Sequence, residues 1–365
     1  MTPGGGPDFS DVDTPIGVLE IERVRTNADR VVEYASAHSL AWRPHIKTHK
    51  SKRVARIQLE AGARGLTVAT LHEAEVMADL TPDLLLAYPQ VGEPRIARIA
   101  ALLRSTPVDL KVGIDSEPAL AALEDAAGRA GRPLSALVEL DVGLGRVGIP
   151  DAEDALRLAR RISESDHVEF AGVLFYAGHI RGTGPEADRA MRALRDQLDD
   201  TLEAIERAGL AVEIVSGGTT PTLWRSHEIE ALTEIRAGTC IFNDRDALAC
   251  GAADPEHLAY SVLATVVSTA IEGRAAVDAG SKALAREERG GEGYGILLDR
   301  PEVTVVALSE EHGVLDLSGT PWRPRIGERV RIVPNHVCVS VNLQPAVLAV
   351  EDSTFERWEL EGRGR

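Results

Sequence analysis

Apolar residues recur along this chain in two rhythms, and the change from one to the other divides it. After a start rich in Gly, Pro and Asp, Ile16 to Ile21 reads as a short strand. Val24, Ala28, Val31 and Ala35 then fall on one helical face. From there short apolar runs alternate with helical stretches such as Ser116–Ala130 and Glu186–Ala208. Eight runs read as strands: Ala41–Lys47, Gly65–Ala69, Leu84–Ala87, Leu110–Ile114, Ala136–Leu140, Phe170–Tyr176, Val212–Ser216 and Glu234–Ala237. That is the strand count of a closed parallel (β/α)8 barrel of the TIM type; a doubly wound open sheet is the alternative that periodicity leaves open.

Past about residue 255 the helices fade. His257–Ile271, Glu302–Leu308, Arg329–Val333, Val337–Leu343 and Ala346–Val350 read as strands between Gly- and Pro-containing turns. Ala283–Arg289 offers a turn or two of helix, and Arg286–Gly295 reads as a charged, Gly-rich loop. The expected organisation is an α/β barrel over 21–254 and a C-terminal, mostly-β domain over 255–365, with residues 1–20 packing on the latter. A length of 365 residues suits that division, since such barrels take about 250 residues.

Composition narrows the partners. A 44% hydrophobic and 27% charged chain is an ordinary globular one. Its net charge of −17 repels nucleic acid and anionic membranes, and 4% aromatics leave no base-stacking platform. Cys240, Cys250 and Cys338 are too few and too odd in number for a disulfide framework, which points to a reducing compartment. The first fifteen residues lack the basic and apolar regions of a signal peptide. No apolar run reaches the ~18 residues of a membrane span. The expectation is a cytoplasmic protein.

The candidate chemistry gathers at strand ends. Trp42-Arg43-Pro44-His45-Ile46-Lys47-Thr48-His49-Lys50 puts Lys47 at the C-terminal end of the first barrel strand, where barrel active sites are built. An amine there, desolvated or beside cations such as His45, His49 and Lys50, can condense with an aldehyde cofactor. The fifth strand ends in Glu139-Leu140-Asp141-Val142-Gly143-Leu144-Gly145-Arg146-Val147-Gly148, whose glycines let Arg146 point inward. The sixth ends in Tyr176-Ala177-Gly178-His179, two acid/base groups. Ser216-Gly217-Gly218-Thr219-Thr220 and Gly238-Thr239 could cradle a phosphate. In Pro334-Asn335-His336-Val337-Cys338-Val339-Ser340-Val341-Asn342-Leu343, strand alternation puts His336, Cys338, Ser340 and Asn342 on one face. His336 and Cys338 could then share a divalent metal that also holds water and substrate, or be a satisfied histidine beside a buried thiol.

At these motifs the sequence resembles the family of D-threonine aldolases and eukaryotic-type D-serine dehydratases, fold-type III pyridoxal-phosphate (PLP) enzymes related more distantly to alanine racemase. Arg-Pro-His-x-Lys-Thr-His-Lys around Lys47 is the most specific match. The resemblance continues through Val138–Gly148, Tyr176–His179, Ser216–Thr219, Asp278–Leu284, Ser309–Gly313 and Pro334–Leu343.

The resemblance implies a homodimer acting on a small D-amino acid, with pyridoxal 5'-phosphate and a divalent metal, Zn or Mn. It implies Lys47 as the Schiff-base lysine and Arg146 near the pyridine nitrogen. Ser216, Gly217, Gly218, Thr219, Gly238 and Thr239 fall around the phosphate, with His45 and Tyr176 beside the cofactor. His336 and Cys338 fall on the metal. His179 as base leads to retro-aldol cleavage into glycine and an aldehyde; Lys47 as base leads to loss of the β-hydroxyl, giving a 2-oxo acid and ammonia. The sequence leans to the aldol-type lyase, through Tyr-x-Gly-His, while Cys338 looks like the dehydratase branch. A racemase using Tyr294 or His312 as its second acid/base group would leave the metal pair unexplained. A non-catalytic PLP carrier would leave the whole β domain so.

Overall fold

A computed structural model describes residues 7–364 and divides into two compact units. One comprises Asp29–Lys47, Ala55–Gly238 and Gly364; the other comprises the N-terminal stretch to Ala28, Thr48–Val54 and Thr239–Arg363.

The second of these units opens with β1 (Ile16–Glu20). The barrel unit then carries eight strands: β2 (Ala41–Trp42), β3 (Leu66–Val68), β4 (Asp83–Leu86), β5 (Asp109–Ile114), β6 (Leu134–Leu140), β7 (Val168–Phe175), β8 (Ile214–Gly217) and β9 (Glu234–Ile235). They hydrogen-bond in the order β2-β9-β8-β7-β6-β5-β4-β3, every pair parallel. A parallel bridge between His45 and Thr67 joins the two ends of that order. The closed alternative is therefore the one adopted. Every expected barrel strand is present. The first is shorter than expected: Pro44 has no N–H to donate, so the ladder lapses after Trp42 and Ile46–Thr48 winds into one 3-10 turn.

Leu85, Leu137, Ala171, Leu174 and Ile214, from β4, β6, β7 and β8, form one buried cluster. These strands are not all neighbours in the sheet, so the cluster fills the barrel interior. Side chains alternate along a strand, so two residues further on the same inner face carries Glu139, Tyr176 and Ser216. Tyr176 reaches that face through a bulge. The β6–β7 register shifts between Ala136 and Leu137, where Gly172 takes φ +138°. The extra residue brings Leu174, rather than Val173, round to the interior beside Ala171.

The other unit adds β10 (Tyr260–Ser268), β11 (Arg274–Val277), β12 (Gly295–Leu297), β13 (Val305–Leu308), β14 (Gly313–Asp316), β15 (Arg329–Pro334), β16 (Ala346–Glu351) and β17 (Thr354–Glu359). With β1 they form one sheet whose main path is β13-β14-β11-β10-β1-β16-β17, while β15 pairs with β10 off that path and β12 pairs with β15. Glu310, Glu311 and His312 lie exposed in the turn joining β13 to β14. The short helix expected within Ala283–Arg289 forms earlier, at Ser281–Leu284.

One expected strand is a helix. Val337–Leu343 is α-helical and begins directly after β15 ends at Pro334. Its buried residues, Val337, Ser340 and Val341, follow helical spacing, whereas Val339 is exposed. Ser340 Oγ donates to the Ala283 carbonyl (2.7 Å) and shares a hydrogen bond with the Tyr260 hydroxyl (3.0 Å). Tertiary bonds of this kind override the strand preference of a run rich in valine.

The bulge yields a prediction. A Cβ on Gly172 would sit 2.0 Å from the Ile214 carbonyl oxygen, at a φ that L-residues rarely adopt. Gly172→Ala should destabilise the protein by about 3 kcal/mol or more, read as a lowered midpoint in urea unfolding. An unchanged midpoint would mean that the bulge is not a tight constraint.

Candidate active site

Lys47 sits at the centre of the 3-10 turn that follows the first barrel strand, half-buried. Its Nζ lies 5.6 Å from the centroid of the Tyr176 ring, and the Arg146 guanidinium lies 4.8 Å from the same centroid. Two cations thus meet one phenol, whose π-face is the negative part of its quadrupole. Arg146 is exposed, on a loop folded around Asp141, whose carboxylate accepts from the Gly143 N–H (3.1 Å) and the Gly145 N–H (3.0 Å). His179 is exposed too and lies over that loop: a Cβ on Gly143 would be 3.4 Å from its Nε2. Lys47, Tyr176, Arg146 and His179 therefore gather at the C-terminal mouth of the barrel. His45, half-buried, belongs there through its bridge to Thr67.

Behind Tyr176 the end of β8 turns sharply. Gly218 takes φ +82°, and Thr219, buried, precedes the 3-10 helix Thr220–Glu228. The Thr219 and Thr222 hydroxyls are 3.0 Å apart. Among the described residues no acceptor meets the N–H groups of Gly218 or Thr219. Gly238 follows close by, because the Arg236 N–H donates to the Gly217 carbonyl (2.8 Å). Ser216 has a different role from its neighbours. Its hydroxyl donates to Glu234 Oε1 (2.7 Å) and accepts from the Arg236 guanidinium (2.7 Å), so its proton is already used.

That serine belongs to a chain of buried charge which sequence reasoning missed. Arg43 Nε donates to both oxygens of Glu234 (3.0 and 2.9 Å), and Arg236 also donates to the Phe175 carbonyl (2.8 Å). Arg43, Glu234 and Arg236 are all buried. Beside them Glu139 is buried with no hydrogen bond to its Oε2. Burial pushes its carboxyl up to about 7 against the opposing pull of Arg236 and Arg146. Burial likewise lowers the Arg236 guanidinium, against the charges of Glu139 and Glu234. The signal was present in the chain: charged residues two apart in Glu234-Ile235-Arg236, at the end of a strand buried on both faces, must point into the interior together.

Unspent N–H and hydroxyl donors beside a positive-φ glycine, together with a half-buried amine, fit an anionic aldehyde cofactor such as PLP.

In the other unit, His336 stands at the N-cap position of the helix Val337–Leu343 without a side-chain capping bond, and Cys338 follows in its first turn. His336 Nδ1 is 3.1 Å from Asp244 Oδ2, which also accepts from the Val337 N–H (3.0 Å). Asp244 Oδ1 caps the helix Arg245–Ala249, so this carboxylate is fixed from three sides. Cys338 Sγ lies 3.3 Å from the Thr48 hydroxyl and 3.6 Å from that of Thr239. Thr48 directly follows Lys47 in the chain. Burial would lower the His336 imidazole, but hydrogen bonds to Asp244 and Cys338 push it up to about 11. A carboxylate on Nδ1 fixes the ring, and the hydrogen bond between His336 and Cys338 sets imidazole and sulfur side by side, a donor set that fits a divalent metal.

Comparison with known proteins bears on both centres. A model of the alanine racemase N-terminal domain matches residues 19–246, and one of a serine dehydratase domain matches residues 259–350. A D-threo-3-hydroxyaspartate dehydratase of Delftia sp. is 34% identical over 95% of this chain and 97% of its own. The chain belongs to the D-threonine aldolase and D-serine dehydratase family.

As a member of that family it is a PLP-dependent lyase of fold type III. A D-threonine aldolase of Arthrobacter sp. is 31% identical over 98% of this chain and 95% of its own. The crystal structure of a D-threonine aldolase from Filomicrobium marinum matches the lyase with a TM-score of 0.91 at 28% identity, covering 98% of each chain. The structure of the Delftia enzyme gives 0.87 at 32%, covering 97% of this chain and 98% of that one. Two further dehydratase structures are a cysteine-to-alanine mutant in the metal-free form and a mutant with alanine for a histidine two positions earlier. Among the described residues no helix is long and apolar enough to cross a membrane.

The Asp244–His336 pair sets a pH dependence in the metal-free lyase. Because the folded-state value is raised from 6.5 to about 11, the pair's contribution is complete below pH 6.5 and is lost as pH rises through about 11. Asp244→Asn should cost about 1–2 kcal/mol, allowing for solvent screening of the imidazole. In thermal unfolding followed over pH, the gap between wild type and variant should be widest near pH 6 and narrow above it. A gap that widens with rising pH would contradict the assignment.

Proposed function

We propose that this lyase cleaves D-β-hydroxy-α-amino acids with pyridoxal phosphate held on Lys47 and a divalent metal held by His336 and Cys338. The observation that carries the reading is the His336–Cys338 pair, with its imidazole oriented by a fixed carboxylate. A thiolate beside a neutral imidazole suits Zn²⁺ better than Mn²⁺ or Mg²⁺. The same two-residue spacing of histidine and cysteine in a relative solved metal-free supports it. When bound, the cofactor supplies a sink for electrons released at Cα, and the metal supplies Lewis acidity towards the β-oxygen.

The chain's own residues divide the rest. Lys47 holds the cofactor through its amine, while the N–H groups of Gly218 and Thr219 and the Thr219 hydroxyl hold the phosphate. Gly217 and Gly238 give close backbone approach, and Thr239 reaches the thiol of Cys338. Tyr176 and Arg146 cover the mouth beside Lys47. His179, exposed at that mouth, takes the β-hydroxyl proton in retro-aldol cleavage, leaving glycine and an aldehyde. A second reading is favoured by the cysteine itself, which the dehydratase relative shares in spacing: Lys47 takes the α-proton and the β-hydroxyl leaves, giving a 2-oxo acid and ammonia. We place the reaction in the cytoplasm, in a homodimer.

Product analysis on a panel of D-β-hydroxy-α-amino acids separates these outcomes. Glycine plus aldehyde assigns the first reading, and ammonia plus 2-oxo acid the second. Either activity should fall at least about 100-fold with EDTA or in Cys338→Ala, and EDTA-treated protein should recover with Zn²⁺ or Mn²⁺. Full turnover in metal-free protein, or a preference for L-substrates, would overturn the reading.

A further inference from the structure

Glu139 is the one charged residue of β6, and it lies on the inner face of the barrel, two positions beyond Leu137 of the interior cluster. Only 2% of it is exposed. Its Oε2 receives no hydrogen bond, and its neighbour on β5 is a glycine that brings no side chain to it: a Cβ on Gly113 would stand 3.6 Å from that oxygen. Arg236, the buried cation that acts on it, makes no hydrogen bond to it. Arg236 donates to Ser216 Oγ and to the Phe175 carbonyl instead. A buried carboxylate without hydrogen bonds is strongly disfavoured, so the position is costly unless the group can take up a proton.

We propose that Glu139 is a positioning residue that carries an exchangeable proton on the inner wall of the barrel mouth, and that its charge state sets the field of Arg236 and Arg146 on the bound cofactor. The proposal rests on the cofactor reading above. With Glu139 neutral, it offsets neither guanidinium charge at the mouth. With Glu139 ionised, one of them is offset, and the electron demand felt by a cofactor ring falls.

The groups that face Glu139 come from three elements. Arg236 follows β9, Arg146 stands on the loop after β6, and Asp115 follows β5. Arg236 in turn feels Glu234, Arg43 and Tyr176. Burial and Asp115 favour the neutral acid, the two arginines favour the carboxylate, and the balance at about 7 puts the change of state near neutral pH. The carboxyl is neutral below that pH and ionised above it.

Glu139→Gln and Glu139→Asp test this with two readouts. In cofactor-free protein, a folded-state value raised above 4.5 means that stability is lost as pH rises from there through about 7. Subtracting the Gln variant's melting temperatures from the wild type's should therefore give a downward slope across that window. In the holoenzyme, the visible absorbance of the bound cofactor should show a step near neutral pH. The step should vanish in the Gln variant and return, at a displaced pH, in the Asp variant. If the Gln variant keeps both the wild-type slope and the wild-type step, the proposal is overturned. If cofactor binds but its absorbance ignores pH in all three proteins, the field on the cofactor is refuted while the cofactor reading stands. If no protein acquires a visible band, the cofactor reading fails, and the field with it.

Discussion

Charge taken out of water inside the barrel is the constraint on which this site depends. Arg43, Glu234 and Arg236 have almost no contact with solvent, and removing one member of a buried pair costs about 3–5 kcal/mol because its partner is left uncompensated. The chain of bonds from Arg43 through Glu234 and Ser216 to Arg236 is therefore fixed as a unit. It holds the ends of β8 and β9 together, and with them the Gly217–Thr219 turn. The exposed ion pairs of the surface, such as Arg157 with Asp154, contribute no such rigidity.

The same principle governs the other unit in a different form. There Asp244 is the buried charge, and it is satisfied by two helix-start N–H groups and one imidazole. A carboxylate with three donors has one arrangement available to it, so the imidazole is held in one orientation. Each unit thus uses a desolvated carboxylate to fix a neighbouring side chain, Ser216 beside Glu234 and His336 beside Asp244. Glu139 is the exception, a buried carboxylate with an oxygen left over.

Much of the fold was legible in the chain, for physical reasons that also explain the failures. The eight barrel strands announce themselves because strands buried on both faces need short continuous apolar runs, and the helices between them need a 3.6-residue period. Lys47, Tyr176 and Arg146 were legible as site candidates because each stands just past a strand that could be placed, and the structure brings all three together. Val337–Leu343 misled because alternation of valine with polar residues is the signature of a strand, while the helix there is dictated by partners distant in sequence, Tyr260 and Ala283. Glu139, Glu234 and Arg236 were overlooked because a charged residue at a strand end reads as solvated until closure of the barrel shows that its side is the inside. Ser216 was read as a phosphate donor because the direction of a hydroxyl proton depends on neighbours eighteen and twenty residues away.

The account turns on the identity of one amine. Reduction of the holoenzyme with borohydride, followed by peptide mass mapping, fixes the cofactor to the residue that carries it. The expected result is a single modified peptide with the pyridoxyl mass on Lys47. Modification of a different lysine, or no modification at saturating pyridoxal phosphate, would contradict it.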